Sequence, residues 1–575
     1  MTSMLDIFRD PPTEFSVLPF WFWNDELDAE EIRRQIGDFG AHGVHGFIIH
    51  PRVGLPRGLG WMSEALLRFY DVAIEEAGRR GMQVVLYDEG MYPSGSSAGQ
   101  VVEENPAFQA RCLEARGLAE GEEPGLRADE TLVAMVRRQS GERVAVVDRK
   151  MDAYIRGLHY IDGGPQEDEP PAGDLLNPEA VACFIRLVYD GFYRRFGEHF
   201  GGLIPAIFTD EPSPVGKPRE RGVWPGTTGI LAHVNRLLGY DFRPHLAALW
   251  FDDEPDAERY RADYERAIAL RMEETWYAAL HGWCTEHGIA LTGHPAKADD
   301  LGAERYFHIP GQDLVWRWVL TWEEMNWLAD WCFVRGTNML FPHAFYYSVR
   351  GIRWDERPPD VGPNSSWWDR YKSYADRCRR LCWLNTDSRH VCAVAILGRV
   401  DWLPWEPAKV LFQQQRDFNY VEERHLWEDA VVDEGGIHLA GMRYEAVLAM
   451  HEPDARAREA LQRLDEAGRL LRCGPETPAE ELVEFVDGLV PVDVRVEPAA
   501  GALRVRRVQK GGRDWWMLFN EEGASLTGRV WLREEGPFLQ LDPWTGESQA
   551  WENGGTIALD GYQLTVVCTD RVDGR

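Results

Sequence analysis

Residues 203–211 read LIPAIFTDE, an apolar run that ends in two adjacent carboxylates, Asp210 and Glu211. A run without polar alternation is typical of a parallel strand that is buried on both faces. Similar runs lie at 15–23, 43–50, 82–89, 288–294, 312–319 and 337–345. Segments with helical periodicity separate these runs. The alternation predicts an α/β fold, namely a (β/α)8 TIM-type barrel over residues 1–385, although the runs are one strand short of eight.

Three further regions depart from this alternation. Residues 106–175 form a charged insertion with β-type segments, which follows the third strand of the barrel. Residues 386–485 again alternate strand and helix, which predicts a small doubly wound, flavodoxin-like α/β domain. This region has no glycine-rich nucleotide motif, so we assign it no nucleotide. Residues 486–575 alternate with period two between Gly, Asn and Asp turns, which predicts a β-sandwich.

The composition excludes several classes of partner. The formal net charge of the 575-residue chain is −32, which disfavours binding to nucleic acid and to anionic membranes. No apolar run approaches the roughly 18 residues of a membrane span, and the N-terminus carries no signal-peptide pattern. The nine cysteines are scattered and contain no C-x-x-C motif. These features predict a cytoplasmic protein, monomeric or homodimeric, without disulfides or zinc.

Polar residues cluster where the predicted strands end. In a barrel of parallel strands these ends meet at one mouth, which is where catalysis takes place. The chain has no G-x-S-x-G or H-E-x-x-H motif, so carboxylates are the chemistry that remains. Paired carboxylates are the groups that glycoside hydrolysis requires, one protonated and one ionised. Since side chains alternate along a strand, only one of Asp210 and Glu211 is expected to face a substrate.

Several of these stretches, taken in order, resemble the alpha-L-rhamnosidase-like glycoside hydrolases. They are FWFWNDEL, GVHGFIIHPRVGLP, GMQVVLYDEGMYPSGSSAG, FTDEPSP, LTGHP, PGQDLVWRWV and NMLFPHAFYYSVRG. The resemblance covers most of residues 15–385 and extends to the layout of the domains that follow. It implies an inverting hydrolase that acts on alpha-L-rhamnosides or on a related plant-derived glycoside.

Applied residue by residue, the resemblance makes Glu211 the general acid, with Glu89 and Asp210 as the other candidate catalytic carboxylates. The candidate substrate-binding residues are Trp23, Asn24, His50, Asp88, His294, His343 and Tyr347. No organic cofactor is expected. A calcium ion near the site would take oxygen ligands from Asp88, Glu89 and Asp210.

The sequence departs from this family in one place. Relatives have a further strand ending in Ser-Glu between the QDLVWRWV-like and NMLFPHAF-like strands, and its Glu is the expected second catalytic carboxylate. Here the chain runs directly into LTWEEMNWLADW. Glu323 and Glu324 fit the first turn of a helix better than an active site. Two alternatives to hydrolysis therefore stay open: a carbohydrate-binding relative that has lost catalysis, and a lyase that acts on sugars.

Overall fold

The computed structural model describes residues 3–159, 168–311, 313–315, 320–355 and 359–570. Its centre is a sheet built from the runs that the sequence predicts as strands. The central strands are β1 (Phe20–Trp23), β2 (Gly46–Pro51), β3 (Gln83–Tyr87), β4 (Ala206–Asp210), β5 (Ala290–His294), β6 (Ile309–Pro310), β7 (Asp313–Val315), β8 (Phe341–His343) and β9 (Phe345–Tyr346). Each of the seven predicted runs contains or overlaps one or two of them, whereas β6 lies outside the predicted runs. The end of one run, residues 316–319, lies outside the described residues.

The central strands are parallel, as predicted. Seven form one sheet in the order β6-β5-β4-β3-β2-β1-β9, and β7 pairs with β8. Residues 311–312 separate β6 from β7, and Ala344 separates β8 from β9. In sequence, the short β7–β8 pair therefore stands between β6 and β9, which are the two edge strands of the larger sheet. The pairings confirm a parallel α/β sheet, while an eight-stranded barrel stays a prediction.

Helices cover the outer face of this sheet. The principal ones span Ala29–Ala41, Glu64–Arg80, Pro178–Leu187, Tyr189–Phe196, Ile230–Leu238, Ala257–Met272, Ala278–Glu286, Leu301–Glu304, Trp322–Phe333 and Tyr371–Asn385. In the first of them Ile32, Ile36 and Phe39 are buried, as their spacing predicts. Glu324 forms a capping box with Thr321, which confirms that it serves the first turn of its helix.

The two faces of the sheet have different neighbours. Trp21 and Trp23 of β1 belong to the large core between the sheet and the helices. Phe20 and Phe22 belong to a smaller core on the opposite face, together with Tyr87 and other residues of neighbouring strands. This division follows from the period-two geometry of a strand. We call the face that carries the smaller core the inner face. The alternation along each strand decides which strand-end side chains lie on it.

The insertion and the region after the central sheet each form a sheet of their own. The insertion forms an antiparallel sheet of Arg111–Leu118, Thr131–Arg137 and Arg143–Lys150, which Trp224–Gly226 joins as an edge strand. A parallel sheet follows, with strands Asn419–Glu422, Val394–Gly398, Ala446–Ala449 and Leu470–Arg472. Helices Trp405–Gln413, Ala457–Glu466 and Ala479–Leu489 accompany it.

The C-terminal region consists of two antiparallel sheets that share one core. The larger sheet contains Leu503–Lys510, Arg513–Asn520, Leu564–Thr569, Phe538–Leu541 and Ser548–Trp551, and the smaller one contains Val494–Glu497, Leu526–Leu532 and Thr556–Leu559. Side chains from both sheets, such as Trp516 and Val530, meet in this core. Strand Arg389–His390 also pairs with the larger sheet, ahead of the boundary predicted at 486. Among the described residues, no helix is long and apolar enough to cross a membrane.

Candidate active site

The inner face of the sheet carries two histidines among aromatic rings. The ring of Phe20 lies 5.6 Å from that of His50 and 4.8 Å from that of His343. His50 stacks on Tyr87 with 3.8 Å between the ring centroids. Its Nδ1 lies 2.8 Å from the Pro51 carbonyl oxygen, which can only accept, so Nδ1 carries the proton. Burial lowers the pKa of His50 well below its usual value, and the charge of Arg52 adds to this, so the imidazole is neutral.

Glu89 holds the loop that follows β3. Its carboxylate is fully buried and accepts hydrogen bonds from five backbone N–H groups of this loop. Oε1 accepts from Gly90 at 2.7 Å and from Ala98 at 2.6 Å. Oε2 accepts from residues 95, 96 and 97 at 3.0, 2.8 and 2.9 Å. Both oxygens are thus occupied by the protein itself, which favours a structural role over the predicted catalytic one.

Asp88 also faces protein groups. It is fully buried and accepts hydrogen bonds from the Ser94 hydroxyl at 2.5 Å and the Tyr189 hydroxyl at 3.0 Å. Burial raises the pKa of Asp88 to about 8. The Ser94 hydroxyl oxygen in turn accepts from the Asp210 amide at 2.8 Å. Through the Ser94 hydroxyl, Asp88 is therefore connected to the end of β4.

Asp210, Glu211 and His294 come together at the ends of β4 and β5. One ligand atom from each lies within 4.8 Å of the others. The His294 Nε2 is 3.6 Å from Asp210 Oδ1, and the Tyr87 hydroxyl is 2.6 Å from Asp210 Oδ2. The Tyr92 hydroxyl donates a hydrogen bond to Glu211 Oε2. Asp210 is buried and Glu211 is half-buried, so Glu211 is the carboxylate that a bound molecule can reach.

Both adjacent carboxylates lie in this cluster, although alternation along a strand would turn them to opposite faces. Strand β4 ends at Asp210, and Glu211 has a φ of +42° in the left-handed region. Alternation applies only within the extended strand, so the turn at Glu211 brings its side chain back beside Asp210. Left-handed backbone costs a non-glycine residue roughly 1–2 kcal/mol, and such strain is concentrated at functional sites.

Three predicted binding residues lie away from this cluster. Trp23 is buried in the outer core, with its ring 5.4 Å from Trp21 and 5.1 Å from Tyr70. Asn24 exchanges hydrogen bonds of 2.8 and 3.0 Å with the backbone of Ser348. The Tyr347 hydroxyl accepts from the backbone N–H at the start of the first outer helix. Alternation along β1 predicts that Phe22 and Trp23 lie on opposite faces of the sheet, and the packing of the helices turns Trp23 outward.

One carboxylate near the cluster was not singled out in the sequence. Glu304 ends the short helix Leu301–Glu304, in the segment that follows β5. Burial raises the pKa of Glu304 to about 7, while the nearby His294 lowers it. Among the described residues its carboxylate has no hydrogen bond or ion pair. Because its charge interacts with that of His294, it is a candidate titratable group of this site.

A cavity of about 380 Å³ lies beside the chain segments that follow β4 and β5. Its wall includes Pro212–Val215, which follow Glu211 directly, and Ala296 and Lys297, which come shortly after His294. The helix Ala257–Met272 and the edge strand Trp224–Gly226 supply half of the remaining wall. Asp210, Glu211 and His294 are not among its lining residues.

The residues predicted to hold calcium do not fit that ion. The oxygens of Asp88 and Glu89 already accept hydrogen bonds from hydroxyl and backbone N–H groups. The cluster of Asp210, Glu211 and His294 includes an imidazole, whereas calcium takes oxygen ligands. We therefore assign no step to a metal.

The fold is similar to those of solved glycoside hydrolases. The rhamnosidase from Novosphingobium sp. PP1Y is similar with a TM-score of 0.72 at 14% sequence identity, over 100% of this chain and 84% of that chain. A GH42 beta-galactosidase from G. stearothermophilus is similar with a TM-score of 0.55 at 11% identity, over 97% and 98% of the two chains. Neither a protein-family profile nor a curated protein sequence matches this chain. At these identities the likeness concerns the fold alone.

Proposed function

We propose that this protein is a glycoside hydrolase in which Glu211 is the general acid. The observation that carries the proposal is the meeting of Glu211, Asp210 and His294 at the carboxyl ends of parallel strands. Such ends form the catalytic face of barrel enzymes. Glu211 is half-buried, and within the described part of the chain a hydrogen bond from the Tyr92 hydroxyl engages Oε2 and none engages Oε1, which leaves Oε1 for a substrate oxygen.

Asp210 supports the acid rather than acting as the second catalytic carboxylate. It is buried, whereas Glu211 is half-buried. Its Oδ2 accepts a hydrogen bond from the Tyr87 hydroxyl, which favours a supporting role over contact with a substrate. Its role is to orient Glu211 and His294.

Glu304 is the second carboxylate of this proposal. Its charge interacts with that of His294, and it has no hydrogen bond or ion pair among the described residues. A carboxyl whose pKa lies near neutrality can serve as base for an attacking water. Glu304 would take the role of the second catalytic glutamate, which relatives carry in a strand ending in Ser-Glu and which this sequence lacks.

The structural likeness supports two candidate substrate classes. The solved structure with the TM-score of 0.72 is a rhamnosidase, so alpha-L-rhamnosides are the first candidates and beta-galactosides the second. The test is a panel of nitrophenyl glycosides of these sugars, assayed with the wild type and with Glu211→Gln. We expect Glu211→Gln to lower kcat by at least about a hundredfold.

The matched control is Glu286→Gln, which changes an exposed glutamate at the end of an outer helix. It is expected to keep wild-type turnover. Absence of turnover on every glycoside, combined with sugar binding in calorimetry, would replace the hydrolase by a carbohydrate-binding protein. Equal kcat values for the wild type and Glu211→Gln would remove Glu211 from the mechanism.

A further inference from the structure

The cavity of about 380 Å³ is a site separate from the cluster, because none of the three cluster residues lines it. Its wall combines the segment after β4, the helix Ala257–Met272 and the loop after β5 with Asp401, which belongs to the second parallel sheet. The cavity therefore lies between the central sheet and the second one. Pockets for small molecules are common at such boundaries.

Asp401 follows a strand at which the second parallel sheet changes direction. Strand Val394–Gly398 pairs with Asn419–Glu422 on one side and with Ala446–Ala449 on the other. The chain forms the first neighbour and then crosses over to form the second. Open α/β sheets bind their ligands in the crevice at the carboxyl end of such a strand. Asp401 comes three residues after that end and lines the cavity.

Three polar side chains of the wall have atoms without a hydrogen-bond partner in the described part of the chain. Tyr277 is only 1% exposed, and its hydroxyl makes no hydrogen bond there. Asp300 is the N-cap residue of the helix Leu301–Glu304, but its side chain does not accept the usual capping bond. The Asp401 side chain is 8% exposed, and its Oδ1 accepts no hydrogen bond. Because buried polar groups are normally paired, these three indicate a missing ligand.

The two carboxylates lie on segments that the fold brings together. The Gly302 amide donates to the Val400 carbonyl at 2.9 Å, which joins the segment of Asp300 to that of Asp401. Burial raises the pKa of Asp300 to about 7, and nearby negative charges, among them that of Asp401, add to this. Burial also raises the pKa of Asp401. A positive charge between the two acids would offset both effects.

The protein supplies little positive charge of its own at this place. Lys297 lines the cavity, but its ammonium group is more than half exposed and lies 3.8 Å from Glu265. The Arg399 Nε is 4.0 Å from Asp401, at the limit of an ion pair. The carboxylates therefore remain available to a cation that enters the cavity.

The rest of the wall is aromatic and aliphatic. Trp224 and Tyr264 contact each other edge to face, with 5.7 Å between their ring centroids. The indole N–H and the phenol hydroxyl of this pair donate to backbone carbonyls at 2.8 and 2.6 Å, so the pair offers aromatic surface to a ligand. Ile268 and Met272 add aliphatic surface. A bare metal ion would use little of this wall or of this volume.

We propose that the cavity binds a small organic ammonium ion, with its charged nitrogen at Asp300 and Asp401 and its apolar part against Trp224 and Tyr264. An ammonium group donates charge-assisted hydrogen bonds to carboxylates. Aromatic rings bury the apolar part and attract the cation. This binding site does not depend on the proposed hydrolase activity.

Tryptamine and tryptophol test the requirement for a positive charge. They share the indole ring and differ in carrying an ammonium group or a hydroxyl. Calorimetry at about pH 8 keeps the amine protonated and Asp300 largely ionised. We expect the wild type to bind tryptamine at least about tenfold more tightly than tryptophol. Equal affinities, or no binding of tryptamine, would overturn the proposal.

Two variants place the binding in the cavity. Asp300→Asn should weaken tryptamine binding at least about tenfold and change tryptophol binding by less than about twofold. Asp299→Asn, which makes the same change of charge at the neighbouring position outside the wall, is the control and should leave both affinities unchanged. Equal losses of tryptamine binding in the two variants would reduce the effect to net charge and would overturn the proposal.

A filling variant and a metal ion complete the test. Ala269→Leu adds three carbons to the wall and should weaken both ligands at least about tenfold, whereas Ala232→Leu, at an exposed helical position outside the cavity, should not. Unchanged binding in Ala269→Leu would overturn the proposal. Calcium binding that is tighter than tryptamine binding and is lost in Asp300→Asn would identify a metal site instead. Since no turnover is measured, these outcomes are independent of the role of Glu211.

Discussion

Replacing Glu89 by glutamine distinguishes a structural carboxylate from a catalytic one. In Glu89→Gln an amide NH₂ takes the place of one carboxylate oxygen and faces backbone N–H groups that can only donate. Turning the NH₂ toward the Oε1 position loses the fewest bonds, namely those from Gly90 and Ala98. Hydrogen bonds to a charged group contribute about 1.5–3 kcal/mol each, so the loop should lose about 3–6 kcal/mol of stability.

Amide hydrogen exchange measured by mass spectrometry reports this loss. A change of 1.36 kcal/mol corresponds to about a tenfold change in an equilibrium constant, so protection of the amides at 95–98 should fall at least about a hundredfold. Glu103→Gln, at an exposed position in the helix that follows, is the control and should leave protection unchanged. Turnover in Glu89→Gln should fall because the loop opens, and the pH profile of the remaining activity should keep its shape.

The opposite result would refute this reasoning. If exchange protection in Glu89→Gln stays within about tenfold of the wild type while kcat falls a hundredfold, then the carboxylate acts in the reaction. In that case the catalytic role predicted from the sequence would be right.

Three further perturbations have defined outcomes. The pKa of Glu304 is about 7, so a base at this position gives the wild type a rise in kcat/KM through about pH 7, which Glu304→Gln should remove. A pH profile identical to that of the wild type would exclude Glu304 as the base. Because burial raises the pKa of Asp88 to about 8, its contribution to stability is complete below the unfolded value of 3.8 and is lost as pH rises toward 8. The melting temperature should therefore fall less between about pH 6 and 9 in Asp88→Asn than in wild type; equal falls would contradict the shift. Arg424→Met leaves Glu273 and Glu422 buried without their partner and should cost about 3–5 kcal/mol in urea unfolding, whereas a double variant that also carries Glu273→Met should recover part of this loss.

The strands of the central sheet could be predicted from the sequence because their signal is local. Runs such as 203–211 and 82–89 are apolar without interruption, which only a strand covered on both faces requires. The meeting of strand ends follows from parallel pairing, so the proximity of Asp210 to His294 was also within reach of sequence reasoning. The capping role of Glu324 depends on residues three positions apart and was predicted for the same reason.

The distribution of roles within the site depended on tertiary structure. Trp23 and Phe22 are equally aromatic in the sequence, and only the packing of helices on one face shows which of them is turned outward. The carboxylates of Glu89 and Glu211 both follow apolar runs. Glu89 is surrounded by backbone N–H groups. Glu211 is turned toward the cluster by its own left-handed backbone conformation, which no sequence pattern indicates.

Glu304 shows most clearly what the sequence by itself did not determine. Its helix is placed by contacts with residues about a hundred positions away: the Gly302 amide donates to the Val400 carbonyl at 2.9 Å, and a Cβ at Gly302 would lie 2.7 Å from Arg424. The local pattern determined the strands and where their polar ends fall, since that information lies within a few residues. Which carboxylates are free to react was decided by folding, because burial and hydrogen-bond partners come from distant parts of the chain.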